Sequence, residues 1–141
     1  MPTFTLSGTS FRIQDNAGTL RDISPSIVRV GGLPGTRELV EVTSLSDAGR
    51  QWIAGLENAV IILDLLWTID ANTGSETVMG PIRTGATGRE WDYGPRGTGA
   101  GNVKYSGTAL MRSYEIMAQV GTTVSARAEL QTLGTITRGT Y

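Results

Sequence analysis

The stretch that decides the fold is Gly32–Ala59, which reads GLPGTRELVEVTSLSDAGRQWIAGLENA. A Gly-Pro turn is followed by a short alternating strand, Glu38–Val42, and a polar loop with one Trp then leads into a long apolar segment. Within the loop, Ser46–Trp52 is predicted to form a short helix with Ser46 as its N-cap, although Gly49 disfavours a helix. The stretch therefore describes a connector of definite shape, and it contains nothing typical of an active site.

The composition bounds the class of protein. At 141 residues the chain is long enough for a hydrophobic core, and we expect one domain, residues 1–141, with extended terminal arms. Hydrophobic residues make up 39% and charged residues 18%, which is not the composition of a disordered chain. The longest apolar run, Ala59–Leu63, stops at Asp64, far short of a bilayer span, so no membrane association is expected.

The chain has neither Cys nor His, and its net charge is −1. These absences exclude Ser-His-Asp and Cys-His nucleophiles, disulfides and most zinc sites. Carboxylates such as Asp64 and Asp70 follow one another along a predicted strand among apolar residues, whereas acid–base catalysis needs them to converge in a cleft. We therefore predict no catalytic, cofactor-binding or metal-binding residue, and the charge argues against strong binding to nucleic acid.

Strands dominate the prediction along the chain. In Asn58–Asp70 every odd position is apolar, which favours a strand over the rival reading of a buried amphipathic helix. Long strands are also predicted over Val103–Val120, with a bend or bulge at Gly107, and over Thr123–Gln131. The core side of Val103–Val120 changes near Leu110, as it does when a strand turns a corner between two sheets. Before this point the core side is predicted to hold Val103, Tyr105 and Ala109, and after it Tyr114, Ile116, Ala118 and Val120.

Other segments are shorter or remain ambiguous. Thr19–Ile23 reads as a strand, but Asp22–Pro25 can instead open a short helical turn. Ala71–Gly101 is predicted to be rich in loops, and its glycine-rich end, Gly97–Gly101, lacks the residues of a phosphate-binding loop. Several short strands with turn signals between them are typical of a mainly antiparallel β-sandwich or barrel.

Two Trp residues fall in predicted loops. Trp52 and Trp91 could bind a ligand, but anchoring their loops to the core or to a neighbouring chain is the favoured interpretation. Arg89 lies among the acidic residues Glu90 and Asp92, which oppose a nucleic-acid patch at this point and favour a solvated or interface loop.

Several segments resemble the major tail tube proteins of long-tailed bacteriophages, in the right order and over most of the chain. These segments are Leu20–Ser24, Gly32–Gly35, Arg37–Thr43, Asp47–Arg50, Ile53–Ala59, Tyr105–Leu110 and Gly134–Thr140. The resemblance implies a mainly β, antiparallel sandwich or barrel-like tail tube fold with one short flanking helix. It also implies a structural virion protein and not an enzyme.

The resemblance further implies that six copies form a ring and that rings stack into the tail tube, the conduit for DNA ejection. Viral DNA would pass through the lumen without sequence-specific binding. The implied partners are further copies of the chain and the tail terminator, tape measure and tail-tip proteins. The implied location is the virion tail, assembled in the host bacterial cytoplasm.

Candidate site residues follow from this expectation. Polar positions on the long strands are expected to line the lumen, although some of them could instead face solvent or pair at subunit seams: Asp64, Thr68, Glu115, Gln119, Arg127 and Glu129. Contacts between rings or subunits are expected at Arg37, Glu38, Asp47, Arg50, Trp52, Arg89 and Trp91. The loops Ser44–Leu56 and Ala71–Gly88 and both termini are the expected stacking elements.

Two other classes of function stay open on the sequence. A different virion component, such as a capsid decoration (cement) protein or a tail-terminator ring, would stop at a ring or bind a capsid. A monomeric β-sandwich that binds carbohydrate or peptide would instead expose Trp52 or Trp91 as a platform.

Overall fold

A computed structural model describes residues 8–141 of the chain. The described part contains nine β-strands, one α-helix and one short 3-10 helix, Ser24–Ser26. The strands are β1 (Ser10–Gln14), β2 (Leu20–Asp22), β3 (Ile27–Gly31), β4 (Thr36–Glu41), β5 (Trp52–Asn58), β6 (Val60–Leu66), β7 (Arg89–Gly94), β8 (Val103–Met117) and β9 (Ser125–Thr140), and the helix is α1 (Ser75–Ile82).

Seven strands form one sheet in the order β2-β1-β7-β8-β9-β6-β3, and all its neighbours are antiparallel. Its centre is the long hairpin β8–β9. One half of this hairpin pairs with β7 through Tyr105–Ala109, and the other half pairs with β6 through Ser125–Gln131. The two flanks of the sheet are therefore attached to different halves of one long hairpin.

The register of β8 against β9 shifts at two points, Gly107 and Arg112. The first shift confirms the bend predicted at Gly107. The second explains the change of apolar face near Leu110, because one extra residue in β8 moves the core side from Ala109 to Tyr114. The expectation that β8 passes into a second sheet is wrong, since it stays within the seven-stranded sheet throughout.

The core joins both flanks of the sheet and the helix. It includes Phe11, Ile13 and Trp91 from β1 and β7, together with Ile61, Leu63, Leu65, Ala126, Ala128 and Leu130 from β6 and β9 and with Val78, Met79 and Ile82 from α1. Because side chains of both flanks share one cluster, the sheet curls over it as in a sandwich. The alternation of buried and half-buried residues along β6 confirms a strand there and excludes the helix alternative.

The predicted position of the helix is wrong. Ser46–Trp52 contains no helix, because the Asp47 carboxylate accepts hydrogen bonds from the Ser44 N–H at 2.7 Å and from its hydroxyl at 3.2 Å, which closes a turn. The helix forms instead at Ser75–Ile82, inside a segment predicted as loop. Its start is fixed by Ser75, whose hydroxyl donates to the Leu66 carbonyl at 2.7 Å.

Residues 20–26 combine the two alternatives that the sequence left open. Leu20–Asp22 is a strand and Ser24–Ser26 is a 3-10 helix, so each of the two alternatives for this region holds over part of it. One domain with extended terminal arms stays a prediction, and the N-terminal arm falls largely on residues 1–7, outside the described residues. The one helix that the described part contains, α1, is too short to cross a bilayer.

Candidate assembly surfaces

The most exposed element is the hairpin β4–β5, which forms a separate two-stranded sheet. All six residues of β4 are exposed, and β5 is exposed or half-buried throughout. The hairpin and its loop nevertheless carry seven large apolar side chains that are 42–109% exposed: Leu39, Val40, Val42, Leu45, Trp52, Ile53 and Leu56. Large apolar side chains that are exposed together on one element mark an interaction site in a folded protein.

A compact anchor fixes the base of this hairpin to the sheet. The Glu57 carboxylate accepts a hydrogen bond from the Ile136 N–H at 3.1 Å and another from Arg37 Nη2 at 2.9 Å. The Ile136 N–H and then the Arg37 guanidinium hold the pKa of Glu57 below its ordinary value, because both stabilise the charged form. The hairpin thus leaves the body of the protein in a set direction.

A second exposed apolar surface surrounds the connection between β8 and β9. Its members are 36–101% exposed, and they come from the ends of β6 and β8 and from the turns beyond them: Leu66, Ile69, Ile116, Met117, Val120 and Val124. We call this surface the β8–β9 tip. Ile116 and Val120 were predicted to lie on the core side of the strand, and the structure places both at the surface.

The two apolar surfaces lie at opposite ends of the molecule. β5 and β6 follow each other with only Ala59 between them. β6 ends at Leu66, which pairs with Ser125 beside the β8–β9 tip. Glu57 of β5 lies against Ile136, further along β9 and away from that tip, and the rest of the hairpin extends beyond it.

The face of the sheet turned away from the core carries a row of alternating charges. Four neighbouring strands place Arg29 opposite Asp64, Asp64 opposite Arg127, and Arg127 opposite Glu115. Arg29 Nη1 lies 3.7 Å from Asp64 Oδ2, and Arg127 Nε lies 3.9 Å from Glu129 Oε1. Each pair is solvent-accessible and contributes at most about 1 kcal/mol to folding, so the row matters more for the charge it presents than for stability.

The residues predicted to line a lumen therefore divide into two groups. Asp64, Glu115, Arg127 and Glu129 share this outer face. Thr68 does not, because its hydroxyl lies 2.6 Å from the Ser26 hydroxyl and accepts a hydrogen bond from the Ser75 N–H at 3.0 Å.

Gln119 also lies outside the charged row, in the exposed turn between β8 and β9, where its carbonyl accepts a hydrogen bond from the Thr122 N–H at 3.2 Å. A role in a lumen wall stays a prediction for all six residues, four of which share the charged outer face.

Five of the seven predicted contact residues belong to the hairpin or its loop. Arg37 pairs with Glu57, Glu38 and Arg50 are exposed, and Trp52 is 48% exposed. The Asp47 carboxylate accepts a hydrogen bond from the Ser44 N–H and so shapes the loop between β4 and β5. Contacts between subunits at these residues remain predictions.

The side chains of the other two predicted contact residues, Trp91 and Arg89, contact groups of their own chain. Trp91 is only 1% exposed and stacks on Phe11 with ring centroids 6.3 Å apart, so the interpretation as a contact to a neighbour is wrong. Arg89 donates hydrogen bonds to the Asp15 carbonyl at 3.1 Å and to Asn16 Oδ1 at 3.3 Å. Both belong to the strand β7, which lies inside the segment Ala71–Gly101 that was predicted to be rich in loops.

A polar cluster that the sequence analysis missed holds Tyr141 against the sheet. The Tyr141 hydroxyl donates to Asp92 Oδ1 at 3.0 Å, and Arg12 donates two hydrogen bonds to the same carboxylate at 2.9 and 2.7 Å. Arg12 and Lys104 also lie 5.5 and 5.3 Å from the centroid of the Tyr141 ring. Burial, followed by the Asp92 carboxylate, raises the pKa of Tyr141 to about 12.

These surfaces suit contact with macromolecules. Within residues 8–141, no group of three or more acidic side chains is arranged to hold a metal ion. The exposed features that the described residues do present are apolar ends and a charge-balanced face.

The fold is similar to that of several proteins of known structure. No protein-family model matches the chain, and no curated protein matches it. Solved structures do match. A chain from the tail of an empty gene transfer agent particle, determined with helical refinement and C6 symmetry, superposes with a TM-score of 0.74 at 17% identity, over 97% of this chain and 99% of that one.

Two more structures agree. A chain of the SPP1 tail tube gives a TM-score of 0.75 at 15% identity, over 99% of this chain and 80% of that one. A chain of the sheath-tube complex of an extracellular contractile injection system, PVC, gives a TM-score of 0.68 at 11% identity, over 99% of this chain and 93% of that one. The predicted fold class, a mainly β, antiparallel tail tube fold with one short helix, is confirmed.

Proposed function

We propose that this protein is the structural subunit of a phage tail tube. The observation that carries the proposal is the agreement of fold over nearly the whole chain, joined to two exposed apolar surfaces at opposite ends of the molecule. Two different surfaces at opposite ends allow head-to-tail contacts between copies, and such contacts produce an open stack where the rotation between copies does not close a ring.

The proposal includes rings of six copies that stack along the tube axis. β2 and β3 are the edges of the seven-stranded sheet, so their outer N–H and C=O groups are open to pairing with another chain. Joining the sheets of neighbouring subunits would satisfy these edges within a ring. The C6 symmetry of the gene transfer agent tail supports six as the number of copies.

The charged row suits a wall along which DNA passes. Arg127 has an acidic residue opposite it on each neighbouring strand, Asp64 and Glu115, so its charge is balanced locally. Each uncompensated cationic contact with phosphate would add affinity and slow the passage of DNA. In this proposal the row faces the lumen, and the protein acts in the virion tail with terminator, tape measure and tail-tip proteins after assembly in the host cytoplasm.

Negative-stain electron microscopy of the purified protein, before and after concentration, tests the proposal. Long hollow tubes with regular striations are the expected result. Rings that do not stack would favour a tail terminator. Monomers that fail to elongate even on added tail tips would contradict a tube subunit and favour a monomeric binding module or a decoration protein.

A further inference from the structure

A polar groove crosses the face of β1, β7 and β8 that is turned away from the core. Phe11, Trp91 and Ala109 of these strands are buried in the core, so the residues that alternate with them lie on the opposite face. The groove has a volume of 470 Å³, which is within the range of about 300–1,000 Å³ of small-molecule sites. Its lining includes Arg12, Leu20, Glu90, Lys104, Ser106 and Thr108.

One side of the groove is held in place by a cluster around Asp92. The Asp92 carboxylate accepts two hydrogen bonds from Arg12, at 2.9 and 2.7 Å, and one from the Tyr141 hydroxyl at 3.0 Å. Tyr141 fits there because Gly94 has no side chain, since a Cβ at Gly94 would come within 2.7 Å of the Tyr141 ring. A wall that is ordered before a ligand arrives loses little conformational entropy on binding.

The other polar groups of the groove lack such partners. The hydroxyls of Ser106 and Thr108, both half-buried, make no hydrogen bond within residues 8–141. In the same part of the chain the Glu90 carboxylate has neither a hydrogen bond nor an ion pair, and Lys104 contacts the Tyr141 ring but forms no ion pair. Hydrogen-bonding groups that line one groove without internal partners are available to a ligand.

The mixture of these groups indicates the class of ligand. Hydroxyls donate and accept hydrogen bonds, a carboxylate accepts them and an ammonium donates them. The positive charge of Lys104 and the negative charge of Glu90 balance, as those of Arg12 and Asp92 do, so the groove has no excess of either sign. Leu20, 38% exposed, adds an apolar contact.

A saccharide has the complementary chemistry, because its hydroxyls both donate and accept and its C–H groups cover apolar surface. We propose that the groove binds a neutral saccharide. This activity goes beyond the proposed function, and the binding itself requires no tube.

The position of the groove nevertheless agrees with a tube. The charged row lies on the outer face of the β6–β9 flank, and the sheet curls over one core between the two flanks. The two outer faces therefore point in opposite directions. If the charged row faces the lumen, as proposed above, the groove faces the exterior of the tube, where saccharides of a bacterial surface have access to it.

Saturation-transfer NMR on the dispersed protein tests the proposal. The probes are neutral trisaccharides of glucose, galactose, mannose and N-acetylglucosamine. We expect saturation transfer to at least one of them, unchanged by added salt, because salt screens only interactions between charges. Transfer to none of them would overturn the proposal. Binding of trigalacturonic acid or trilysine alone, weakened by salt, would also overturn it and indicate a charged ligand.

Two serines of β8 provide a matched pair of variants. Ser106→Ala removes a hydroxyl from the groove, and Ser113→Ala removes an exposed hydroxyl further along the same strand, outside the groove. Loss of one hydrogen bond should weaken binding about three- to tenfold in Ser106→Ala and in Thr108→Val, and Ser113→Ala should bind as the wild type does.

The melting temperatures of all three variants should stay close to that of the wild type, because none of these hydroxyls has a partner within residues 8–141. Wild-type affinity in both groove variants, or an equal loss in Ser113→Ala, would overturn the assignment to this groove. Since dispersed protein is used, failure to bind saccharide leaves the tube proposal standing, and failure to form tubes leaves the groove proposal standing.

Discussion

Gly32 is the residue at which the chain leaves the seven-stranded sheet for the hairpin, and we expect Gly32→Ala to destabilise the protein. Its φ is +85°, a left-handed conformation that side chains other than glycine rarely adopt. A Cβ at this position would also overlap the carbonyl oxygen of Val60. Val60 pairs with Gln131 of β9, so its carbonyl cannot retreat without distorting the sheet.

Gly18 offers a matched control for the size of the effect. Its φ is +86°, and a Cβ there would meet nothing within 4 Å. Both substitutions carry the left-handed cost of about 1–2 kcal/mol, and both reduce the entropy of the unfolded chain equally. Only Gly32→Ala adds a steric overlap, which typically costs about 1–3 kcal/mol. We therefore expect losses of about 1–2 kcal/mol for Gly18→Ala and about 2–5 kcal/mol for Gly32→Ala.

Thermal unfolding of the dispersed monomer, followed by circular dichroism, measures the difference. For a chain of this length 1 kcal/mol corresponds to roughly 3–5 °C, so Gly32→Ala should melt about 3–15 °C below Gly18→Ala. Under the proposed function, electron microscopy should also show tubes with Gly18→Ala and few with Gly32→Ala, because the hairpin leaves at another angle. Equal melting temperatures for the two variants would refute the steric reasoning.

Three further predictions concern charge and pH. The lowered pKa of Glu57 means that its hairpin anchor is present above pH 4.5 and lost as the pH falls through the folded-state pKa. The protection factor of the Ile136 amide, which is its exchange rate relative to the intrinsic rate at the same pH, should therefore fall there, and Glu57→Gln should remove this pH dependence. Asp64→Asn combined with Glu115→Gln removes two of the negative charges beside Arg127 and leaves only Glu129 near it, so retention of the dispersed monomer on immobilised DNA should rise at low salt and fall with added salt. Unchanged elution would contradict the charge balance. Because burial raises the pKa of Tyr141 to about 12, its contribution to stability is complete below pH 10 and declines as the pH rises from 10 towards 12, a decline that Tyr141→Phe should reduce in denaturant titrations.

The strands of the fold could be read from the sequence where alternation was regular. Ile61, Leu63 and Leu65 are buried on one face of β6, as their period of two predicts. The helix α1 could not be read, because Gly80 and Pro81 lie inside its eight residues and both oppose a helix. It forms because Val78, Met79 and Ile82 fill the core, a tertiary effect that local propensity does not contain.

The candidate surfaces were harder to predict than the strands, for a physical reason. Ile116 and Val120 are large aliphatic residues of the kind that fill a hydrophobic core, and the strand pattern predicted that they lie on the core side. They are 50% and 101% exposed in the single chain. A surface that becomes buried only against another subunit uses the same residue types as a hydrophobic core, so the sequence pattern alone does not separate the two. The sequence predicted the hairpin segment as a connector. That both faces of the hairpin are exposed became clear only from the pairing of β4 with β5 in the structure.

The anchor at Glu57 and the apolar hairpin bear on the same step of assembly. A hairpin that moved freely would lose conformational entropy on docking, and this loss would subtract from the affinity of each contact. The bonds from Ile136 and Arg37 to Glu57 restrict the hairpin before docking, so less of the affinity is lost to ordering. Under the proposed function, weakening the anchor should then reduce tube growth while the core, against which only the partly buried Ile136 of the anchor packs, stays folded. Under the proposed function, the anchor therefore sets how readily the exposed apolar hairpin binds another subunit, and protonation of Glu57 should weaken that contact.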